Sequence, residues 1–181
     1  MDREKVIKAV ENLLKALGED VTREGLKDTP RRVADAYAEL LSGENTTAEE
    51  HLARTFETQS GELVLEKDIS FSSTCEHHLM PFFGKIAIAY VPDGRVVGIS
   101  KLARTVEVFS KRLQLQERLT KQIADEIMRC LKPRGVMVVC EAEHTCMTCR
   151  GVKKPGSKTL TYAVAGEFPA EKKKEVFALI K

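Results

Sequence analysis

The chain has 181 residues, of which 43% are hydrophobic, and a formal net charge of +2. This length and apolar content suffice for one hydrophobic core, and the near-neutral charge gives no indication of a nucleic-acid partner. The charged N-terminus lacks the pattern of a signal peptide, and no apolar run approaches the length of a membrane span. The cysteines number 5, and this odd count argues against a disulfide framework. We therefore expect a cytoplasmic protein in a reducing compartment, without membrane or nucleic-acid partners.

Three helices are predicted in the first part of the chain. Apolar side chains recur at helical spacing over residues 4–17, and Gly18 supplies a left-handed stop. A second helix is predicted from Thr29 as its N-cap, with Pro30 at the first helical position. Thr47 is placed to cap a shorter third helix.

From residue 62 the apolar period changes from that of a helix to that of a strand. Leu63, Leu65, Ile69 and Phe71 occupy alternate positions, with polar residues between them. This alternation predicts a strand that carries the four apolar side chains on one face and exposes the other face to water.

The order of the later segments predicts the fold class. A partner strand, a helix pair, a second strand pair and a short C-terminal helix follow, which indicates an α+β fold: an antiparallel β-sheet backed by two helices and preceded by N-terminal helices. In the strand predicted from Val136, continued extended conformation would project His144 and Cys146 from the same face. We divide the chain into an N-terminal helical region over residues 1–58 and a second region over residues 59–181, together one integrated domain.

Side chains that bind metals are concentrated in two short segments. They are Cys75, His77 and His78 in the first segment, and His144, Cys146 and Cys149 in the second. Cys-x2-His and Cys-x2-Cys are both common zinc spacings, so a closed structural site with four ligands and an open catalytic site are equally supported by spacing alone. The open site is favoured because His77 and His144 would be surplus to a closed site, yet both lie where acid or base groups belong.

Basic residues near these segments indicate a phosphorylated ligand. One group follows the second segment, and the other lies where Ser100 is predicted to cap a helix, whose free N–H groups and dipole favour phosphate. The residues are Arg150, Lys153, Lys154, Ser100, Lys101 and Arg104. Beside an open zinc site, they suggest a phosphorylated substrate.

Four ordered segments closely resemble GTP cyclohydrolase I of the zinc-dependent type. They are residues 75–82 (CEHHLMPF), 98–104 (GISKLAR), 116–120 (QERLT) and 144–151 (HTCMTCRG). The resemblance extends over essentially the whole chain and includes residues 24–33 near its start.

The resemblance implies a zinc site with three protein ligands. Cys75, His78 and Cys146 match the family's ligands, which leaves the fourth position to water and places Cys149 outside the metal's ligand set. The implied cofactor is therefore Zn²⁺ in an open site, where the metal activates water at neutral pH.

The resemblance also implies roles for the neighbouring residues. His144 matches the residue that protonates purine N7 as water adds to C8, and His77 matches a histidine that assists opening of the ribose ring. Glu117 matches the carboxylate that binds the guanine N1–H and 2-amino group, with Gln116 beside it. The family's triphosphate-binding set is matched by Ser100, Lys101, Arg104 and Arg150.

The implied activity is hydrolytic opening of the guanine imidazole ring of GTP. C8 leaves as formate, and rearrangement gives 7,8-dihydroneopterin triphosphate, the first step of folate and tetrahydropterin biosynthesis. The implied fold is the tunnelling fold, and the implied assembly is a homodecamer of two face-to-face pentamers with sites between subunits.

Two other hypotheses remain open from the sequence. One is a structural zinc protein that binds nucleotide without catalysis, in which Cys149 is the fourth ligand. The other is a tunnelling-fold relative that acts on another pterin or on a deazapurine.

Overall fold

The structure is a computed structural model that describes residues 1–181. It contains two compact units, Met1–Ser42 and Gly43–Lys181. None of its helices combines the length and the apolar character that crossing a membrane requires.

The first unit is a pair of helices, α1 (Arg3–Ala16) and α2 (Thr29–Leu40). The predicted end of α1 is confirmed: Gly18 has a φ of +83°, in the left-handed region. The predicted N-cap of α2 is wrong by one residue. Asp28 is the cap, and Thr29 is the first helical residue, with its hydroxyl donating to the carbonyl of Gly25 at 3.4 Å instead of capping the helix.

The second unit combines seven strands with five helices. The strands are β1 (Thr55–Glu57), β2 (Val64–Cys75), β3 (Pro81–Val91), β4 (Arg95–Val97), β5 (Leu113–Gln114), β6 (Gly135–His144) and β7 (Lys158–Gly166). The helices are α3 (Glu49–Leu52), α4 (Ile99–Ser110), α5 (Gln116–Leu131), α6 (Thr145–Thr148) and α7 (Ala170–Leu179).

The main sheet has the order β5-β2-β3-β6-β7. Its long strands pair antiparallel, and only the short β5 runs parallel to its neighbour β2. Strands β1 and β4 form a separate antiparallel pair that the sequence did not predict. The predicted α+β class is confirmed, with β5 and the β1–β4 pair as additions.

Two apolar clusters lie on opposite faces of this sheet. On one face, α4 and α5 pack against the strands, and α5 contributes Leu119, Ile123 and Ile127 at helical spacing. On the other face, Val176 of α7 belongs to a smaller cluster with Met137 of β6. Because both faces are partly covered, β3 and β6 are buried over consecutive residues instead of alternating.

The predicted single apolar face of β2 is wrong. A bulge lies between Glu66 and Ile69, where Asp68 has a φ of 61°. An extra residue reverses the side-chain alternation, so Leu65 packs with the α7 cluster while Ile69 packs with the α4 and α5 cluster. The same reversal places Cys75, at the end of β2, in the cluster on the α4 and α5 side.

Two further local predictions are corrected. Strand β6 ends at His144, and Cys146 lies in the helical turn α6 instead of in a continued strand. Ser100 is inside α4, whose N-cap is Gly98. A terminal shift of two residues is common because the first turn of a helix has few internal hydrogen bonds.

Candidate active site

The first segment of metal-binding residues forms the turn between β2 and β3. The Cys75 N–H donates to the Met80 carbonyl at 2.9 Å, and the Leu79 N–H donates to the Cys75 carbonyl at 2.9 Å. Leu79 has a φ of 55°, a left-handed conformation that closes the turn. Residues 76–78 therefore leave the strand direction, and His77 and His78 are both exposed on the turn.

An ion pair holds this turn to the rest of the unit. The Arg118 guanidinium pairs with the Glu76 carboxylate and also donates to the Gln114 side-chain oxygen at 3.1 Å. The Glu76 N–H donates to the Gln114 carbonyl at 3.1 Å. Arg118 keeps the pKa of Glu76 below its usual value, which favours the charged form that the pair needs.

The second segment reaches the first through α6. Thr145 donates its hydroxyl to the Pro81 carbonyl at 2.6 Å, which ties the start of α6 to the start of β3. As a result, the ligand atoms of Cys75, His78 and Cys146 all lie within 4.8 Å of one another.

These three residues fit a zinc ion. Ligand atoms on a tetrahedral zinc, with bonds of about 2.0–2.3 Å, lie about 3.5–3.8 Å apart, so small side-chain movements close the site. Burial raises the pKa of the Cys146 thiol, the adjacent Cys75 raises it further, and Arg150 lowers it. Two thiolates side by side are costly without a cation, and a bound metal supplies that charge.

The other cysteines are not part of this group. The Cys149 thiol is exposed and donates to the Thr145 carbonyl at 2.8 Å. Cys140 is buried, and burial raises its pKa to about 12, so it stays a neutral thiol. The group that can hold a metal therefore contains three protein ligands.

His144 is fixed from two sides at the end of β6. Its ring stacks on Phe82, with centroids 4.6 Å apart and planes inclined by 2°, because the two residues are register partners in β3 and β6. Its Nε2 lies 2.8 Å from the side-chain oxygen of Gln116, the first residue of α5. Burial lowers the pKa of His144, and the nearby negative charge of Glu117 opposes this effect.

Some of the predicted substrate-binding residues lie near His144 and Cys146, and others do not. Gln116 hydrogen-bonds to His144, Glu117 is close enough to His144 to influence its pKa, and Arg150 is close enough to Cys146 to influence the pKa of that thiol. The α4 residues form a separate group whose members have no hydrogen bond or ion pair to the Cys75, His78 and Cys146 group. They are Ser100, Lys101 and Arg104.

Several supporting residues were not predicted from the sequence. Phe82 lies inside one of the segments that resemble the family, but its stacking on His144 follows from the register of β3 with β6. Thr120 and Thr161, which bond to each other at 2.7 Å beside Gln116, come from a helix and a strand that are distant in the chain. The ion pair of Glu76 with Arg118 likewise joins two segments that resemble the family, although the residue letters do not show that the two side chains meet.

Comparison with known proteins gives full-length matches. The chain is 58% identical to GTP cyclohydrolase 1 of Clostridium perfringens, over 99% of this chain and 98% of that protein. It is 61% identical to GTP cyclohydrolase 1 of Carboxydothermus hydrogenoformans, over 93% of this chain and 88% of that protein. A solved structure, the archaeosine synthase QueF-Like in the apo form, aligns with 61% of this chain and 100% of that chain, with a TM-score of 0.49 and 21% identity.

The family itself follows from the breadth of the match. A model of the family described as GTP cyclohydrolase I matches residues 6–181. That range includes both metal-binding segments and the α5 residues around His144. The chain therefore belongs to the GTP cyclohydrolase I family.

Proposed function

We propose that the protein hydrolyses GTP by the GTP cyclohydrolase I reaction, releasing formate and forming 7,8-dihydroneopterin triphosphate. The proposal rests on the ligand atoms of Cys75, His78 and Cys146, which lie within 4.8 Å of one another in a chain of this family. Cys146 follows His144 by two residues, so the metal-binding group adjoins the proposed acid–base residue. A three-ligand site leaves a coordination position for water, as hydrolysis requires.

Cys75, His78 and Cys146 are the residues that would hold zinc. When bound there, zinc supplies an activated water at neutral pH, for addition to C8 of the purine. The exposed side of His78 and the open turn give this position access from solvent.

His144 is the proposed acid–base group for purine N7. Its ring is held by Phe82 and Gln116, so its orientation is set before substrate arrives. Burial lowers its pKa and favours the neutral ring, whereas the nearby negative charge of Glu117 favours uptake of a proton.

Glu117 is the proposed guanine-binding residue. It follows Gln116 on α5 and lies close enough to His144 to influence its pKa, so one bound purine can contact both side chains. A carboxylate accepts from the N1–H and the 2-amino group of guanine, whereas adenine offers no donor at N1.

The proposed triphosphate site combines Arg150 with the start of α4. Ser100, Lys101 and Arg104 lie in the first two turns of that helix, where phosphate is favoured, but they are not bonded to the metal group of the same chain. We propose that a neighbouring subunit supplies them, in a homodecamer of two pentamers with the tunnelling fold. His77, exposed beside His78, is assigned to the ribose.

The test is formate release from GTP by the zinc-loaded protein, with ATP and chelator-treated protein as controls. We expect formate and a pterin-like near-ultraviolet spectrum with GTP alone, and neither product in the two controls. His144→Ala should retain zinc but lower kcat by about 10²- to 10⁴-fold, the usual contribution of general acid–base catalysis. Intact GTP with a zinc-loaded protein would contradict the proposal and favour a structural zinc protein that binds nucleotide.

A further inference from the structure

We propose that Gln116 is a positioning residue that fixes the tautomer of His144, so that Nε2 carries the proton of the neutral ring and Nδ1 is free. The catalytic consequence of this placement rests on the proposed function, whereas the location of the proton rests only on hydrogen bonding within this chain.

The orientation of the Gln116 amide is set by two backbone carbonyls. Gln116 is 2% exposed, and its side-chain nitrogen lies 3.0 Å from the Cys140 carbonyl and 2.9 Å from the Thr159 carbonyl. Carbonyl oxygens only accept hydrogen bonds, so the atom that faces them must be the NH₂ group. The amide oxygen is therefore the atom that faces His144.

The hydroxyl groups of Thr120 and Thr161 independently indicate the same orientation of the Gln116 amide. The Thr120 hydroxyl lies 2.7 Å from the Gln116 backbone carbonyl, so Thr120 donates there. Its hydrogen is then used, and Thr161, at 2.7 Å from Thr120, must donate to Thr120. Thr161 has no second hydrogen, so the Gln116 atom 3.2 Å from it must be the donor nitrogen.

The tautomer of His144 follows from this orientation. The Gln116 oxygen can only accept, and His144 Nε2 lies 2.8 Å from it, so Nε2 must carry a hydrogen. The stacked ring of Phe82 keeps the imidazole in this plane. In the neutral ring, the available lone pair is consequently on Nδ1.

The same bonds assign Gln116 a role other than contact with substrate. Its two N–H hydrogens already serve three acceptors within the chain, and its oxygen accepts from His144. No donor of the side chain remains for GTP. Gln116 acts through His144, by making Nδ1 the nitrogen that exchanges a proton with the purine.

Nitrogen-15 spectra of the imidazole rings measure the tautomer directly. We would label the zinc-loaded protein with ¹⁵N-histidine and record magic-angle-spinning spectra at a pH where His144 is neutral. The chain has 4 histidines, and the spectrum of His144→Asn assigns the signal of His144. We expect Nε2–H and an unprotonated Nδ1 in the wild-type protein.

Three variants separate positioning from a structural role. Gln116→Met removes the acceptor and should lose the uniform Nε2–H signal, with kcat lower by about 10- to 100-fold, the usual cost of losing the partner that orients a histidine. The KM for GTP should change less than about threefold if Gln116 does not touch substrate. Gln116→Glu keeps an acceptor oxygen in either protonation state and should restore the Nε2–H signal.

Thr161→Val is the matched control. It removes the hydrogen bonds of the Thr161 hydroxyl to Gln116 and to Thr120, but both carbonyls that orient Gln116 remain. We expect the Nε2–H signal and most of the turnover to persist.

The outcomes distinguish this inference from the proposed function. Nδ1–H in the wild-type protein would overturn the inference, whether or not Gln116→Met folds. An unchanged kcat in folded Gln116→Met, or a large rise in KM without loss of kcat, would overturn the positioning role. Nε2–H in a protein that leaves GTP intact would support the tautomer and contradict the function.

Discussion

The metal-binding group and the Gln116–His144 pair differ in what holds them in place. Cys75 is the last residue of β2, His78 lies on the turn after it, and Cys146 lies in α6 beyond the end of β6. The ligand atoms of these three residues are close together, but no network of hydrogen bonds joins all three. Gln116 and His144 lie where α5 meets the sheet, and every polar atom of the Gln116 side chain has a partner.

This difference indicates two separate sources of order in one site. We expect the metal-binding group to reach its final geometry only when a cation binds its thiolates. Gln116 and the proposed acid–base group His144 are ordered by hydrogen bonding and stacking within the chain, and such preorganisation would avoid the cost of orienting groups during the reaction. Changes to one region should therefore leave the other largely intact.

The largest expected effect is that of Cys146→Ala. Removal of one of three ligands should release zinc and lower turnover by at least about 10³-fold, because metal activation of water contributes several kcal/mol. Cys149→Ala is the matched control, since its thiol bonds to Thr145 instead of joining the group. Metal analysis and formate release measure both; equal zinc loss in the two variants would indicate a four-ligand site.

Phe82→Leu should affect the acid–base pair without affecting the metal. Phe82 is fully buried and stacks on His144, so we expect about 1–3 kcal/mol less unfolding free energy and a lower kcat, with full zinc content. Phe71→Leu is the control, because Phe71 packs edge-on against Phe82 at 5.8 Å and does not stack on His144. Denaturant unfolding, zinc analysis and kcat would compare the two; equal losses of kcat would count against positioning by Phe82.

The smallest expected effect lies in the first unit, outside both regions. The Arg3 guanidinium donates to Asp35 at 2.8 Å and lowers the pKa of that carboxyl. The ionised pair therefore stabilises the fold above the usual Asp pKa of about 3.9, and this stabilisation is lost as the pH falls through the lower, folded-state value.

Asp35→Asn should slightly lower the thermal midpoint at pH 7, and the difference from the wild-type protein should disappear in acid. The effect is small because the pair is exposed to solvent. Zinc content and GTP turnover should be unchanged. A loss of turnover comparable to that of Cys146→Ala would show that this pair supports the active site.

The two metal-binding segments were predictable from the sequence because ligand spacing is local, whereas the choice of three ligands over four followed from the family resemblance. Cys75 and His78 are neighbours on one turn, and ligand spacing of that kind is visible in the residue letters. The α+β class was predictable for a similar reason, since apolar periodicity marks each long element.

The network around Gln116 was not predictable in the same way. Two of its acceptors are the backbone carbonyls of Cys140 and Thr159, and every residue has such a carbonyl. The register of β6 with β7 and the position of α5 determine that these two carbonyls face the Gln116 side chain. The bulge at Asp68 was missed because an extra residue leaves no mark in the apolar pattern on either side of it.

X-ray absorption at the zinc edge tests the central claim of an open three-residue metal centre most directly. For the zinc-loaded protein in its resting state, we predict two sulfur neighbours at about 2.3 Å and two nitrogen or oxygen neighbours at about 2.0 Å. The sulfurs are those of Cys75 and Cys146, one lighter atom belongs to His78, and the other is water. Three sulfur neighbours would contradict this account, because Cys149 would then close the site and leave no position for the water that hydrolysis needs.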